Sequence, residues 1–370
     1  MNIRVEVSCT ALQQKSGVGR YTELLTNALA TQTTVYGHYF NFLGRQSTPQ
    51  LDSLIKLEEN RLVPLRIYNK LSSIGIPLPA FDHLLPKVDL TIHPNFATWP
   101  THHSQRIATV VHDLTYLYHP ELVEKKNLAH LRRVVPVSLK KADFIITVSE
   151  AVKAELVKEF HLPPEKCVVT TIPPSSSFTD ISQPLQDIHT KYKLPTKKFI
   201  LFIGNLEPRK NLATLIRAYR LLPVNLQKEY SLIIGGGQGW NFQETEAILQ
   251  EGGEVGKICR IGYIDQADLA SFYRLASLFV MPSLYEGFGM PVLEAISSHC
   301  PIVCADIPVL REAGGDIASY ARPLDPQDFA HHITRQLDRK LSKESVTQHL
   351  RQFSWERNAQ CIIAKTKELL

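Results

Sequence analysis

The sequence has no apolar run that approaches the roughly 18 to 20 residues a membrane-spanning helix needs. Cysteine is also scarce, because six in 370 residues are too few for a disulfide scaffold. The one close pair, Cys300 and Cys304, has no second Cys or His cluster nearby to complete a zinc site. The first ten residues alternate like a strand and lack the apolar core of a signal peptide. Together these absences predict a reduced, cytoplasmic protein.

The composition excludes a disordered chain. Apolar residues make up 44% of the sequence and charged residues 21%, and these values are typical of a soluble globular protein. The length of 370 residues predicts two domains of ordinary size, each able to bury its own core.

The positive charge is concentrated in one segment. The whole chain has a formal net charge of +5. Residues 122–141 reach the same excess alone, because six cations there face the single Glu124. The cations are Lys125, Lys126, Arg132, Arg133, Lys140 and Lys141. Apolar residues between them recur at helical spacing, which predicts an amphipathic helix that Pro136 should kink or divide.

Two interpretations of residues 122–141 stay open. A basic amphipathic segment can lie on an anionic membrane surface, and the protein would then be peripheral at the inner face of a membrane. Alternatively, the apolar stripe packs on its own domain and the charges are simply solvated. Neither interpretation predicts a nucleic-acid partner.

Short apolar runs alternate with helical patterns along the chain, which favours parallel sheets built from βαβ units. Strands are predicted at Ile3–Val7, Val35–Phe40, Val88–Ile92, Ile107–Val111, Phe144–Thr147, Val168–Ile172, Phe199–Ile203, Leu232–Ile234, Ile258–Ile261, Leu278–Met281 and Ile302–Cys304. Helices are predicted at Tyr21–Ala30, at Ser149–Phe160 with Ser149 as N-cap, and around Leu212–Tyr219 and Leu269–Ala276.

A polar stretch from Pro173 to Pro195 interrupts this pattern. We therefore expect two doubly wound α/β domains, residues 1–180 and residues 190–350, joined near 175–195. Residues 351–370 are expected to form a C-terminal helix, a candidate to pack back on the first domain. Ligands bind outside the carboxyl ends of the strands in such sheets, so the cleft between the domains is the expected site.

The most specific signal is the sequence from Pro282 to Ala295, PSLYEGFGMPVLEA, which follows a predicted strand and opens a helix. Gly287 and Gly289 allow the backbone to approach a ligand, and free amides at a helix start bind anions. Glu286 argues against a plain phosphate loop, because a carboxylate repels a diphosphate. The arrangement fits a ligand that has an anionic part and a hydroxylated part. The amides would bind the anionic part, and Glu286 and Glu294 would accept hydrogen bonds from the hydroxyl groups. The simpler alternative is a turn, with Glu294 complementing the helix dipole.

A second signal lies at Gly204–Asn211, GNLEPRKN, again between a predicted strand and a helix. Arg209 and Lys210 are adjacent cations at a helix start, where they oppose the helix dipole, and a bound diphosphate would explain that local cost. A solvated turn is the alternative. The sequence has no Asp-x-Asp triplet, the usual carboxylate clamp for a metal-bound diphosphate. Charge neutralisation is therefore expected from Arg209, Lys210 and backbone amides, without a metal.

The first domain offers weaker candidates. Ser16–Arg20, SGVGR, follows the first strand but lacks the third glycine of a dinucleotide fingerprint, so no nicotinamide site is expected. His112 and Asp113 end a predicted strand, where a side chain would face the cleft, although a purely structural histidine is the alternative. The glycines of Gly235–Gly239 are expected to serve a tight turn rather than to bind phosphate.

At this point the residues resemble the retaining GT-B glycosyltransferases of glycosyltransferase family four. Three motifs carry the resemblance in order and spacing: Gly17–Gly19, Glu207–Asn211 (EPRKN), and the Glu-x7-Glu pair of Glu286 and Glu294. Val111–Asp113, Gly262–Ile264 and Pro323–Pro326 are also similar to that family. The likeness covers nearly the whole chain.

The resemblance implies two Rossmann-like domains that face each other across a cleft, with a nucleotide-sugar donor held mainly by the second and an acceptor mainly by the first. Glu286 would contact the donor sugar, Glu294 the ribose and Lys210 the phosphates. The other implied contacts are the amides of Phe288, Gly289 and Met290 with the sugar or diphosphate, His112 beside the transferred sugar, Gly17 and Gly19 over the diphosphate, and Ile264 near the base.

One position departs from the family pattern. The family often has Arg directly after the glycine that ends the first strand of the second domain, and Asn205 occupies that position here. Arg209 is the candidate to supply this guanidinium instead. The implied catalytic set is then Glu286, Lys210, Arg209 and His112.

The resulting hypothesis is a retaining hexosyltransferase that needs neither metal nor cofactor. GDP-mannose is the first candidate donor, and the acceptor is a glycan or a lipid-linked sugar in polysaccharide or glycolipid biosynthesis. Two alternatives stay open. A sugar-nucleotide 2-epimerase of similar architecture would convert the donor without an acceptor, and a glycan-binding scaffold would have a vestigial site.

Overall fold

The structure, a computed structural model, describes residues 1–11, 17–44, 47–61, 64, 80–180, 185–195, 198–237, 239, 243–250 and 258–370. The chain divides into two compact units, Met1–Ile172 with Ser354–Leu370, and Pro173–Phe353. The first stretch of the first unit therefore ends at Ile172, before the boundary expected at residue 180. The described residues of the expected joining segment, 175–195, belong to the second unit.

The first unit is built on a parallel sheet in the order β3-β2-β1-β4-β5-β6-β7. Its strands are β1 (Asn2–Glu6), β2 (Thr34–Phe40), β3 (Lys56–Asn60), β4 (Val88–His93), β5 (Ser104–Val111), β6 (Phe144–Thr147) and β7 (Cys167–Val169). Its helices before residue 172 are α1 (Gly17–Ala30), α2 (Thr115–Tyr118), α3 (Lys125–Lys141) and α4 (Glu150–Phe160). The strand order reverses between β1 and β4, which is the topological switch point of a doubly wound sheet.

The second unit repeats this plan with the order β10-β9-β8-β11-β12-β13, all parallel. Its strands are β8 (Lys198–Ile203), β9 (Tyr230–Gly235), β10 (Ile258–Gly262), β11 (Leu278–Met281), β12 (Ile302–Ala305) and β13 (Ser319–Ala321). Its helices are α5 (Ser176–Thr179), α6 (Ile188–Lys191), α7 (Leu212–Arg220), α8 (Val224–Glu229), α9 (Gln243–Gln250), α10 (Leu269–Leu275), α11 (Met290–Ser297), α12 (Pro308–Gly314), α13 (Pro326–Gln336) and α14 (Lys343–Leu350). Here the order reverses between β8 and β11.

The predicted fold class is confirmed, since both units have a parallel sheet of doubly wound order. Every predicted strand is present, with bounds that shift by a few residues. The predicted N-cap of α4 is also present, because the hydroxyl of Ser149 accepts a hydrogen bond from the amide of Val152. Two edge strands, β3 and β13, were not predicted.

The helix predicted over the basic segment is α3. Of the two effects expected of Pro136, a kink or a division of the helix, the division is wrong. The helix runs unbroken from Lys125 to Lys141. Pro136 lies on its exposed side, where water can bind the carbonyl that proline leaves without a donor. The apolar side packs on the unit's own core, with Val135 and Leu139 buried beside Ile145. The second interpretation of the apolar stripe is therefore the one the structure supports.

The last helix, α15 (Trp355–Leu369), belongs to the first unit. The rings of Trp355 and Tyr21 lie 5.7 Å apart. The side-chain amide of Asn358 donates a hydrogen bond of 2.6 Å to the carbonyl of Thr171. Among the described helices, none is both long enough and apolar enough to cross a bilayer. All six cysteines are free thiols.

Candidate active site

Two loops meet where the strand order of the second unit reverses. The loop after β8 carries Arg209 and Lys210, and the loop after β11 carries Glu286. Because β8 and β11 are parallel neighbours, their carboxyl ends lie at the same edge of the sheet. The main-chain amide of Leu284 donates to the carbonyl of Arg209 at 2.9 Å, which joins the loops directly. Crevices of this kind bind ligands in doubly wound sheets.

A compact charged cluster joins the loops through their side chains. The ammonium of Lys210 lies 2.6 Å from Oε1 of Glu286, and a guanidinium nitrogen of Arg209 lies 2.7 Å from Oε2. Arg209 also pairs with Glu207 at 2.6 Å and donates to the carbonyl of Tyr285 at 2.8 Å. The side chains of Glu286, Lys210 and Arg209 are only 10%, 12% and 21% exposed. The cluster holds two cations and two carboxylates, so it is balanced in charge.

The electrostatics keep Glu286 ionised. Burial alone raises the pKa of this carboxyl group, but the charges of Lys210 and Arg209, with the hydrogen bond from Lys210, outweigh burial and lower the pKa to about 2. Glu286 is therefore a carboxylate throughout the neutral range. An ionised carboxylate only accepts hydrogen bonds, and its two oxygens offer more acceptor positions than the two cations occupy.

Asn211 ties a third loop to this pair. Its backbone is left-handed, with φ of 54°, a conformation that asparagine tolerates better than most residues. The side-chain amide donates to the carbonyls of Pro282, at 2.9 Å, and Pro323, at 2.6 Å. These carbonyls belong to the loops that follow β11 and β13. One side chain thus fixes the loop after β8 against both.

The start of α11 offers unpaired main-chain amides. Gly289 is its N-cap, with φ of 98°, and Pro291 occupies one of the first helical positions. No acceptor in the described parts of the chain contacts the amides of Phe288, Gly289 or Met290. The ring of Phe288 is buried against Phe353, which anchors the loop. Free amides at a helix start attract anions.

Glu294 lies one turn further along α11 and is held by a buried tyrosine. The hydroxyl of Tyr273, on α10, donates to Oε2 of Glu294 at 2.9 Å. Tyr273 is fully buried. Burial, the charge of Glu294 and this hydrogen bond raise the pKa of Tyr273 well above its usual value. The hydroxyl therefore stays protonated and orients Glu294.

The glycine run after β9 packs on the loop after β8. A Cβ atom on Gly236, where φ is +145°, would lie 1.9 Å from the carbonyl oxygen of Gly204. The amide of Leu206 donates to the carbonyl of Gly237 at 3.0 Å. Ile264, after β10, packs on Gly235, where a Cβ atom would lie 2.3 Å from its Cδ1. These glycines permit close backbone packing, as expected of a structural turn, and Asn205 remains exposed beside them.

The structure places the remaining site candidates in the first unit. Gly17 and Gly19 lie in the first turn of α1, so they form part of a helix, and residues 12–16 before them lie outside the described parts. The ring of Tyr21, one turn on, lies 5.1 Å from the ring of His112. His112 follows β5, so the start of α1 and this histidine share the carboxyl edge of the sheet.

His112 is neutral with a defined tautomer. Burial lowers its pKa, although the Pro94 carbonyl and Asp113 act in the opposite direction. Its Nε2 lies 2.8 Å from the carbonyl oxygen of Pro94. Because a carbonyl only accepts, Nε2 carries the proton, and Nδ1 of the neutral ring is left as an acceptor.

Comparison with known proteins identifies the family. Residues 186–353 match the family model described as Glycosyl transferases group 1, and residues 15–173 match the model described as Glycosyltransferase Family 4. The O-antigen chain mannosyltransferase B of Escherichia coli is 35% identical over 269 residues, which cover 71% of this chain and 70% of that protein. The chain belongs to the group 1, family 4 glycosyltransferases.

Two further proteins resemble this chain, one in sequence and one in structure. The serotype-specific mannosyltransferase WbdA of Escherichia coli is 30% identical over 245 residues, 62% of this glycosyltransferase but only 29% of that longer protein. Sucrose-phosphate synthase from Thermosynechococcus elongatus has a TM-score of 0.72 and 17% identity, and covers 100% of this chain and 98% of that one. The second likeness shows the shared GT-B fold.

The candidate site also contains residues that the sequence did not single out. Glu207 and Asn211 stand inside the second motif, but their partners, Arg209 and the carbonyls of Pro282 and Pro323, became visible only in the fold. Tyr273 lies in the predicted helix around Leu269–Ala276, where its apolar spacing gives no sign of a polar role. A buried tyrosine usually finds a hydrogen-bond partner, and that rule was the available signal.

Proposed function

We propose that this enzyme transfers a hexose from a nucleotide-diphosphate sugar, with retention of anomeric configuration and without a metal ion. The acceptor is a glycan or lipid-linked sugar in polysaccharide or glycolipid biosynthesis. Mannose is the first candidate sugar, supported by relatives named as mannosyltransferases, and GDP-mannose the first candidate donor. The observation that carries the proposal is the buried Lys210–Glu286–Arg209 cluster at the sheet's switch point.

The cluster fits a ligand that has a hydroxylated end and a diphosphate end. Glu286, ionised and buried, accepts hydrogen bonds from sugar hydroxyl groups. Lys210 turns toward the diphosphate, together with the free amides of Phe288, Gly289 and Met290 at the start of α11. Arg209, held between Glu207 and Glu286, contributes positive charge and fixes the geometry. Glu294, oriented by Tyr273, accepts from the ribose hydroxyls, and Ile264 packs near the base.

The reaction is then promoted by electrostatics. As the bond between the anomeric carbon and the diphosphate oxygen breaks, its electron pair passes to the diphosphate and positive charge grows on the sugar ring. Lys210 and the amides stabilise the first charge, and the Glu286 carboxylate stabilises the second. Loss of one preorganised group of this kind costs roughly a hundredfold to a thousandfold in rate. The acceptor hydroxyl bonds to the same face of the sugar and gives its proton to the departing diphosphate.

Two features of the first unit support the same proposal. Nδ1 of neutral His112 is available to accept a hydrogen bond from the transferred sugar. Gly17, exposed at the start of α1, and Gly19 allow the diphosphate to approach the helix N-terminus closely.

The test is a thermal-shift screen of the full chain with GDP-mannose and with UDP, ADP and dTDP sugars, since a ligand that binds only the folded state raises Tm. We expect one donor to raise Tm in the wild type and to lose most of that effect in Lys210→Ala. Absence of a shift with every donor contradicts the donor site. Conversion of the donor to an epimer without acceptor favours the 2-epimerase instead. Unchanged function in cells that carry Glu286→Gln favours the scaffold.

A further inference from the structure

Tyr263 differs from every other large aromatic residue that the structure describes. Its side chain is 64% exposed, whereas each of the other described Phe, Trp and Tyr side chains is buried or half-buried. The next residue, Ile264, is itself buried. The exposure therefore belongs to Tyr263 and not to the loop as a whole. An aromatic face that the protein leaves uncovered is available for a flat ligand.

The backbone around Tyr263 is fixed on both sides. The preceding residue, Gly262, is left-handed with φ of +73°, and its carbonyl accepts a hydrogen bond of 2.7 Å from the amide of Gly236. The following residue, Ile264, packs on Gly235. Apart from its neighbours in the chain, no described atom would lie within 4 Å of a Cβ atom on Gly262. The ring of Tyr263 is thus held out from an anchored turn, with open space beside it.

Unpaired main-chain groups accompany the ring. The N–H and C=O groups of Tyr263 and Ile264 make no hydrogen bond with any other described part of the chain. Proteins recognise a single heterocyclic base by stacking its face on an aromatic side chain and by hydrogen-bonding its polar edge. Both kinds of contact are offered here by two adjacent residues.

The position of Tyr263 matches the base end of a nucleotide. Residues 263–268 lead directly into α10, and Tyr273 on α10 holds Glu294, the proposed ribose contact. Strand β10 ends at the same edge of the sheet as β8 and lies two strands away from it, a separation of about 10 Å. A ribose and a phosphate group can span that distance. A nucleotide with its diphosphate at Lys210 and its ribose at Glu294 therefore has its base directed toward Tyr263.

We propose that Tyr263 stacks on the base of the donor nucleotide and selects a purine over a pyrimidine. The inference rests on the proposed donor site and identifies the class of base that this site takes. The two fused rings of a purine cover more of the tyrosine ring than the single ring of a pyrimidine does. Stacking of one base on an aromatic side chain changes affinity by about fivefold to about a hundredfold.

The experiment is calorimetric titration of the full chain with GDP, ADP, UDP and CDP. The test variants are Tyr263→Ala, which removes the ring, and Tyr263→Phe, which keeps the ring and removes only the hydroxyl. The matched control is Leu221→Ala, because Leu221 is a large exposed side chain of the same unit, 54% exposed, at the far end of α7 from Lys210. Lys210→Ala reports separately on the diphosphate contact.

We expect GDP or ADP to bind at least about tenfold more tightly than UDP and CDP. Tyr263→Ala should weaken binding of that purine nucleotide by about tenfold or more, and of the pyrimidine nucleotides by less than about threefold. Tyr263→Phe and Leu221→Ala should both match wild type.

Equal affinity for purine and pyrimidine nucleotides overturns the proposal, and so does a Tyr263→Ala variant that binds all four as wild type does. A Tyr263→Phe variant as weak as Tyr263→Ala also overturns it, since the hydroxyl and not the ring would then be the contact. If Lys210→Ala still weakens all four nucleotides in these cases, the donor site stands and only the role of Tyr263 falls. Absence of binding by all four nucleotides to the wild type contradicts the donor site as well.

Discussion

The hydroxyl of Tyr273 and the carboxylate of Glu294 are joined by a 2.9 Å hydrogen bond between neighbouring helices α10 and α11. Tyr273 is fully buried, while Glu294 is only partly buried. The tyrosine therefore holds the Glu294 carboxylate from the core side of the unit. If Glu294 contacts the ribose as we propose, Tyr273 is the residue that positions it.

Tyr273→Phe should weaken donor binding and leave the chemical step intact. The substitution deletes one hydroxyl without opening a cavity, so the cost is one hydrogen bond to a charged group. We expect KM for the donor to rise about tenfold, with kcat within about twofold of wild type. Steady-state kinetics with varied donor measures both.

The matched control for that prediction is Tyr219→Phe. Tyr219 is equally buried in the same unit, and its hydroxyl donates to the carbonyl of Tyr230 at 2.7 Å, apart from the charged cluster. The Tyr219→Phe substitution should lower Tm and leave KM for the donor unchanged. Equal effects of the two substitutions on KM would show that Tyr273 acts only through general stability.

Glu286→Gln should separate sugar transfer from nucleotide binding. The neutral amide stabilises the charged sugar ring less well, so transfer should fall on the order of a hundredfold to a thousandfold. The cluster meanwhile gains one net positive charge. The free nucleoside diphosphate should therefore bind severalfold more tightly, and this gain should shrink in high salt. Rate assays and calorimetric titration with GDP measure the two effects.

Glu207→Gln provides the comparison, because it changes the charge equally but removes a carboxylate that pairs with Arg209 rather than Lys210. It should tighten diphosphate binding while reducing transfer much less than Glu286→Gln. A larger loss of transfer in Glu207→Gln would mean that Glu286 is not the carboxylate beside the sugar.

Gly236→Ala should destabilise the second unit far more than Gly262→Ala. Both glycines have positive φ, +145° and +73°, so both substitutions strain the backbone. Only at Gly236 would the new Cβ atom also lie 1.9 Å from a main-chain oxygen, that of Gly204, whereas Gly262 faces open space. We expect losses in unfolding free energy of about 3 kcal/mol and about 1 kcal/mol respectively. Urea denaturation monitored by circular dichroism distinguishes them, and similar losses would contradict the predicted clash.

Acid should destabilise the first unit through two buried histidines. His38 on β2 and His93 on β4 are fully buried. Burial lowers the pKa of each to about 3, with Arg4 and His93 lowering that of His38 further, and Asp82 acting in the opposite direction on His93. In the unfolded chain each histidine binds a proton near pH 6.5. The unfolded state therefore binds more protons below that pH, and the folded state loses stability as pH falls through 6.5 toward 3.

Each histidine should remove about 2 kcal/mol of unfolding free energy between pH 7 and pH 5. Urea titrations at several pH values measure this slope. In His93→Gln the slope between pH 6.5 and pH 5 should be shallower by about one proton. A slope identical to that of wild type would show that His93 is protonated in the folded protein.

The sequence was sufficient for the elements whose pattern is local. Runs of β-branched and apolar residues such as Ile3–Val7 and Phe144–Thr147 are buried on both faces, so they stand out without knowledge of their neighbours. The two loops after β8 and β11 were likewise visible, because glycine, proline and charge follow an apolar strand directly.

What the sequence could not supply are contacts between distant residues. Strand β3 has the sequence Lys-Leu-Glu-Glu-Asn and looks like a polar loop. Its Glu58 is nevertheless buried, because it forms a 2.7 Å ion pair with the buried Arg4. The sequence also did not indicate that the first stretch of the first unit ends at Ile172. The serines and prolines that follow read as a linker, but Phe178 and Ile188 among them are fully buried in the second unit.

The placement of α15 sets the order in which the protein can fold as it is made. The chain leaves the first unit after Ile172 and returns to it at Ser354, so the second unit emerges whole from the ribosome before Trp355 can reach Tyr21. Domains generally fold as units during synthesis. The first unit, which begins to be translated first, can therefore complete its fold only after the second unit has been made.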